Sequence, residues 1–311
     1  MAFLTFPPSD SRVAAIGECM IEIANQPDGQ CRRGFGGDTL NTAVYLARQG
    51  IAVSYITRLG NDHYSDDMLR NWREEGIDVG MVAQIEGRLP GLYMITTAAD
   101  GERSFAYWRN NAPARELFND LLPDTREALC QFDVVYLSGI SLSLFDAAGH
   151  QALFALLDAV RDRGGLVVFD GNYRPAGWPS QARARETVNA MLARTDLAVP
   201  TFDDEVGLFG DRSPAETVAR LHQLGVAEVV VKQGDQGCLI SDGLAAPLSV
   251  PATQGVTPVD TTAAGDSFNA GYLAARLQGQ PPRAAAQRAH AIAAKVICHP
   301  GAIIPKNTPL L

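Results

Sequence analysis

The chain has 311 residues, 46% of them hydrophobic and 20% charged, with a formal net charge of −9. That balance predicts a soluble globular protein with ample core, and it argues against nucleic-acid or membrane-surface partners. No apolar run reaches the roughly 18 residues of a membrane span, and the opening "MAFLTFPPSD" lacks a basic export-signal region, so a cytoplasmic protein is expected.

In chain order, "RVAAIGECMIEIA" reads as a strand that continues past an interruption at Gly17-Glu18. "RRGFGGDTLNTAVYLARQG" (32–50) is a glycine turn leading into a helix that carries Val44, Leu46 and Ala47. A lone glycine turn before a helix is a weak signal, and the G-x-G-x-x-G of a dinucleotide site is not completed. Segment 88–111 reads as a hairpin around "ADGE". Its second strand, "RSFAYWRN", alternates Arg103, Phe105, Tyr107 and Arg109 on one face.

From residue 133 onward the pattern becomes regular. Buried strands are expected at 133–139, 165–170, 196–200 and 228–234, with a helix carrying Phe154, Leu157 and Val160 between the first two. Alternating strand and helix predicts a mostly parallel sheet with helices on both faces, and ligands beyond the C-terminal strand ends. The irregular strands of the first hundred residues then suit a β-sheet lid, built discontinuously from about 18–35 and 86–111 within one domain, 1–311. Five scattered cysteines without a C-x-x-C pair predict reduced thiols, with Cys298 in the core and His299 in a loop.

"DTTAAGDSFNAGYL" places Asp266 where a helix begins, after a turn of small residues. Free N–H groups at a helix N-terminus bind anions, and small residues let a phosphate approach. A carboxylate there cannot bind the phosphate, but it can take a proton from an attacking hydroxyl. The alternative is a simple helix cap. Arg109 and Arg174 (in "DGNYR") suit an acidic sugar, because a guanidinium fork matches a carboxylate. Arg174 serves equally well against nucleotide phosphates. Tyr93 and Tyr107 offer hydroxyls, or simply pack the lid.

Together, "GGDTLNTA" and "DTTAAGDSFNAGYL" resemble the paired motifs of the ribokinase-like (PfkB-type) carbohydrate kinases, in the family's order and over essentially the whole chain. Thr39 stands where the family usually has a smaller residue, and Ala263 where it commonly has Gly. The resemblance implies a ribokinase-like α/β fold with a β lid, ATP and Mg²⁺ as cofactors, and a monovalent cation as a further candidate. It implies Asp266 as the base and main-chain N–H groups of Ala263, Ala264, Gly265 and Asp266 around the phosphoryl group. Substrate would meet Gly37, Asp38, Thr39, Leu40, Asn41, Tyr93, Tyr107, Arg109, Arg174 and Asp266. ATP would meet Arg174, Thr201, Lys232, Gly234, Asp235, Gly237, Ala264 and Gly265. "TFDDE" stands in place of the family's metal-organising Asn-x-x-Glu, with Asp204 or Glu205 as its acid. An acidic sugar is the expected substrate, with a neutral ketose or pentose, or a non-catalytic sugar or nucleotide sensor, as alternatives. Exposed lid edges make a homodimer a candidate assembly.

Overall fold

A computed structural model of the chain describes residues 3–8, 10–25, 29–97 and 103–311, with only the backbone of Thr97 and Arg103. The expected "ADGE" turn lies outside the described residues. The chain starts with β1 (Arg12–Ile16), then forms β2 (Met20–Asn25) and β3 (Cys31–Gly36). Helix α1 (Asp38–Ala47) leads to β4 (Ala52–Ile56), followed by β5 (Arg58–Gly60), α2 (His63–Glu74) and β6 (Ala83–Ile85). A second excursion supplies β7 (Leu92–Thr97) and β8 (Arg103–Trp108) and returns through a 3-10 turn, Pro113–Glu116.

The chain then alternates through α3 (Pro123–Leu129), β9 (Val134–Ser138), α4 (Gly139–Leu142), α5 (Ala147–Asp162), β10 (Leu166–Asp170) and α6 (Gln181–Leu192). It continues through β11 (Leu197–Ala198), α7 (Phe202–Phe209), α8 (Pro214–Gln223) and β12 (Glu228–Lys232). The strands β13 (Cys238–Ser241) and β14 (Leu248–Val250) precede the closing pair α9 (Ala264–Leu277) and α10 (Pro282–Ile297).

The large sheet runs β14-β13-β12-β11-β10-β9-β1-β4, parallel from β12 to β4 and antiparallel at β13 and β14. Its strands are buried on both faces, which is why they read as continuous Val and Leu runs. One core packs α1, α2, α9 and α10 against one face, and a second packs α5, α6 and α8 against the other. Phe268, Gly271, Tyr272 and Ala275 of α9 are buried, but so is every other residue from Asp266 to Leu277, so the helix is enclosed on all sides rather than on one face. A Cβ on Gly271 would fall 2.8 Å from Ala289 Cα, so this glycine lets α9 and α10 approach closely.

The second, smaller sheet has the order β3-β2-β7-β8. The interruption at Gly17-Glu18 is the point where the chain leaves one sheet for the other. Glu18 is 3% exposed, and the chain's four passages between the two sheets run close to it. A Cβ on Gly37, between β3 and α1, would lie 2.3 Å from the Glu18 carbonyl oxygen. A Cβ on Gly91, just before β7, would lie 2.9 Å from Glu18 Oε1. Arg109, just after β8, forms an ion pair with the Glu18 carboxylate.

One expectation is overturned: Cys298 is exposed, because it caps α10 one residue beyond the last turn that packs on the core. All five cysteines are free. No helix among the described residues is long and apolar enough to cross a membrane.

Candidate active site

The site is built from residues that follow the parallel strands, where backbone direction changes and side chains are no longer locked into the sheet. Asp170 ends β10, and Lys232 ends β12 two strands away. Lys232 is 7% exposed, and its ammonium donates to Asp170 Oδ2 and Asn269 Oδ1, both at 3.0 Å. A Cβ on Gly265 would lie 3.5 Å from that ammonium nitrogen, so a buried cation sits directly behind the start of α9.

Ala263 enters α9 in the left-handed region (φ 60°, ψ 18°), a conformation that costs a non-glycine residue about 1–2 kcal/mol. The turn directs the Ala264 N–H to the Thr261 carbonyl at 3.2 Å. The N–H groups of Gly265 and Asp266 have no partner among the described residues and stand at the positive end of a 14-residue helix. Asp260 holds the turn from outside, accepting from Thr262 N (2.9 Å) and Gly301 N (2.8 Å).

Asp266 does not cap α9. Its Oδ2 accepts from Asn41 Nδ2 on α1 at 2.8 Å, and no side chain caps the helix. Burial first, then the negative charges of Asp38 and Asp170, push its carboxyl up to about 7, while Asn41 and Lys232 oppose the rise. Burial also raises Asp38, which Ser138, the Thr39 N–H and Asn172 partly offset. Asn172 donates to Asp38 Oδ2 at 2.7 Å from a backbone held at φ 30°. Ala263 and Asn172 are the non-glycine residues with positive φ among the described residues, and both stand at this site.

A cavity of about 860 Å³ opens beside Asp38. Four of the residues expected to meet substrate, Gly37, Tyr107, Arg109 and Arg174, line it, and so do Glu18 and two arginines for which the sequence carries no motif, Arg115 and Arg183. Arg174 donates to Asp204 Oδ1 at 3.0 Å. Buried Asn41 Oδ1 and Asp170 Oδ1 have no hydrogen-bond partner among the described residues, as polar atoms kept for a ligand would.

The remaining expected residues divide. Thr39 and Leu40 turn inward: the Thr39 hydroxyl pairs with Tyr55 OH at 3.1 Å, in space that a Cβ on Gly17 would occupy. The larger residue at 39 is thus housed by a glycine. Tyr93 is 9% exposed and donates to Glu22 Oε2 at 2.5 Å, so its hydroxyl is committed within the small sheet. Gly234 and Asp235 lie in an exposed 3-10 turn, Gly234–Gln236, between β12 and β13. Gly237 follows at φ 100°, where a Cβ would strike the Val250 carbonyl at 2.1 Å. Thr201 bridges to Lys232 and precedes α7. In the next turn Asp204 faces Arg174, whereas Glu205 is 3% exposed and accepts from Arg220 at 2.5 Å. Glu18, Asp170 and Asn172 were discoverable: each is a polar residue at or just beyond the end of a buried strand.

Unsatisfied main-chain donors at a helix start and a buried carboxylate in the same turn suit an enzyme that phosphorylates an alcohol. The model of the pfkB family carbohydrate kinases matches residues 10–309, and the chain belongs to that family. It is 48% identical over 300 residues to a 2-dehydro-3-deoxygluconokinase of Dickeya dadantii, covering 94% of this chain and 96% of that one. It is 46% identical over 303 residues to the 2-dehydro-3-deoxygluconokinase of Escherichia coli K12, covering 95% and 98%. Among solved structures, a putative ribokinase II of E. coli in complex with ATP and Mg²⁺ superimposes with a TM-score of 0.81 at 25% identity, covering 94% of each chain.

Proposed function

We propose that this carbohydrate kinase transfers a phosphoryl group from ATP to the C6 hydroxyl of 2-dehydro-3-deoxygluconate (2-keto-3-deoxygluconate), yielding the 6-phosphate. The observation that carries the reading is a buried carboxylate, Asp266, within the field of Asp38, which lines a cavity walled by guanidinium groups. The relatives' names and the set "GECMIE", "YWRN" and "NYRP" support the particular sugar acid. Asp266 accepts the proton of the C6 hydroxyl, and its carboxyl, raised to about 7, is basic enough for the task near neutral pH. The N–H groups of Gly265 and Asp266 receive the negative charge of the transferring phosphoryl, with the Lys232 ammonium behind them. Arg109, Arg174 and Tyr107 hold the sugar acid. The exposed turn at Gly234–Gln236, Gly237 and Thr201 form the nucleotide side.

No three His, Cys, Asp or Glu residues gather into a metal site among the described residues. That fits Mg²⁺, which needs one or two carboxylates besides phosphates and water. Asp204 would hold it, since its partner Arg174 is exposed and exchangeable, whereas Glu205 is buried against Arg220. When bound, the ion neutralises phosphate charge.

The small sheet closes over the sugar as a lid and excludes water. Its edge strand β8 leaves Phe105, Tyr107 and Trp108 about half exposed, which suits docking of a second copy in a homodimer, and the enzyme works in the cytoplasm. An ADP-coupled assay of sugar acids against fructose and ribose tests the reading. Turnover confined to 2-dehydro-3-deoxygluconate is expected, and turnover of a neutral ketose with none of the acid overturns it.

A further inference from the structure

Four arginines line the cavity, and three of them already have a carboxylate. Arg109 pairs with Glu18, Arg174 with Asp204 at 3.0 Å and Arg183 with Glu186 at 2.7 Å. Each of these pairs is close to neutral; Asp38 and Asp146 also line the cavity, but Asn172 donates to Asp38 at 2.7 Å and Asp146 caps α5 by accepting from Gly149 N at 2.8 Å. Arg115 differs. Among the described residues no carboxylate lies within ion-pair distance of it, and the acid next to it in sequence, Glu116, is taken by Arg88 at 3.1 Å.

Arg115 is also held in place. It belongs to the 3-10 turn Pro113–Glu116, whose flanking Ala112, Ala114, Leu117 and Phe118 are each less than 5% exposed. The half-buried guanidinium therefore projects from a backbone fixed on both sides. Its field reaches the Glu18 carboxylate, where it opposes the effect of burial. The exposed turn Gly234–Gln236 does not line this cavity, whereas Tyr107 and Arg109 of the small sheet do, so a charge here serves the sugar rather than the nucleotide.

We propose that Arg115 is a specificity-determining residue, supplying an uncommitted positive charge that selects an acidic over a neutral sugar, with Arg109 held by Glu18 as a neutral donor beside it. The proposal rests on the reading of the substrate as a sugar acid. A carboxylate entering the cavity would gain a counter-ion at Arg115 without displacing an existing partner, whereas at Arg109 it would have to compete with Glu18.

The test combines steady-state kinetics with calorimetric titration of 2-dehydro-3-deoxygluconate in the absence of nucleotide. R115Q should raise KM and Kd for the sugar acid about tenfold or more, with a much smaller fall in kcat and no change in KM for ATP. R115K should stay within a few-fold of the parent. E18Q frees the Arg109 charge, so R115Q/E18Q should recover most of the affinity that R115Q loses. An unchanged KM in R115Q, in a parent enzyme active on the sugar acid, overturns the proposal alone, as does a double variant no better than R115Q. A parent that binds and phosphorylates no sugar acid overturns the reading of the substrate and the proposal with it.

Discussion

Asn41 and Asp266 are 225 positions apart in sequence, yet the Asn41 amide donates to the Asp266 carboxylate at 2.8 Å. The bond joins the first helix to the penultimate one and fixes the orientation of the proposed base. Asn41 favours the ionised carboxylate, against burial and the neighbouring Asp38 and Asp170. The base is therefore active once deprotonated, and kcat/KM should rise with pH through about 7. Replacing Asn41 with Leu should move that limb to higher pH, with a greater loss of activity at pH 6.5 than at pH 8. A limb that stays in place would separate Asn41 from the titration of Asp266.

Asp266→Asn should cut kcat by about a thousandfold or more while nucleotide binding survives. It should also stabilise the fold in a pH-dependent way. A carboxyl raised in the folded state lends stability below its unfolded value of about 4, and that stability is lost as pH rises through about 7. The variant should gain on the order of 2 kcal/mol over the parent at pH 8 and much less at pH 5. Denaturant titrations at the two pH values check this, and an equal gain at both would show that ionisation is not the cause.

Lys232→Met removes the buried partner of Asp170 and one of the two groups that hold the Asp266 carboxyl down. A loss of about 3–5 kcal/mol is expected from the uncompensated Asp170 charge. The acid limb of the pH–rate profile should also shift upward. Purely structural loss, with the limb unmoved, would detach Lys232 from the reacting groups.

Ala263→Gly relieves a left-handed backbone at the entry to α9. A gain of at most about 1 kcal/mol is expected, because glycine gives back part of the benefit as entropy in the unfolded chain. Scanning calorimetry should show a Tm rise of about 2 °C. A fall in Tm would mean that the Ala263 methyl group contributes packing that outweighs the strain.

Arg220→Met strands two buried acids, Glu205 and Asp211, which now share one guanidinium at 2.5 and 2.7 Å. Burial pushes the Glu205 carboxyl up to about 7 even with Arg220 present. The cost should be about 3–5 kcal/mol at pH 8 and should shrink as the pH falls below 7 and Glu205 protonates. Chemical denaturation across that range measures it.

The strand ends and both motifs were legible in the sequence because they depend on local pattern: runs of Val and Leu for doubly buried strands, small residues before Asp266 for a tight turn. What escaped depends on which way a side chain turns at a boundary. Lys232 sits at the start of what reads as a loop, "KQGDQG", yet it folds back under α9, where Asp170 and Asn269 can compensate its charge. Tyr93 has the right place in the chain for a substrate contact, but Glu22 on the adjacent strand claims its hydroxyl. Asp204 and Glu205 are adjacent in sequence, and only the position of Arg220, on the next helix, distinguishes them. Cys298 shows the opposite error: an apolar neighbourhood in sequence, but a position one residue past the last packed turn.

The small sheet is assembled from two separated stretches, and its connections to the rest of the chain meet at Glu18, Gly37, Gly91 and Arg109. A graft of this sheet onto a related kinase therefore cannot be a single cassette. It would need both stretches moved together, along with the four corner residues. A recipient that kept a side chain at position 37 or 91 would collide with the grafted Glu18 before any sugar was bound.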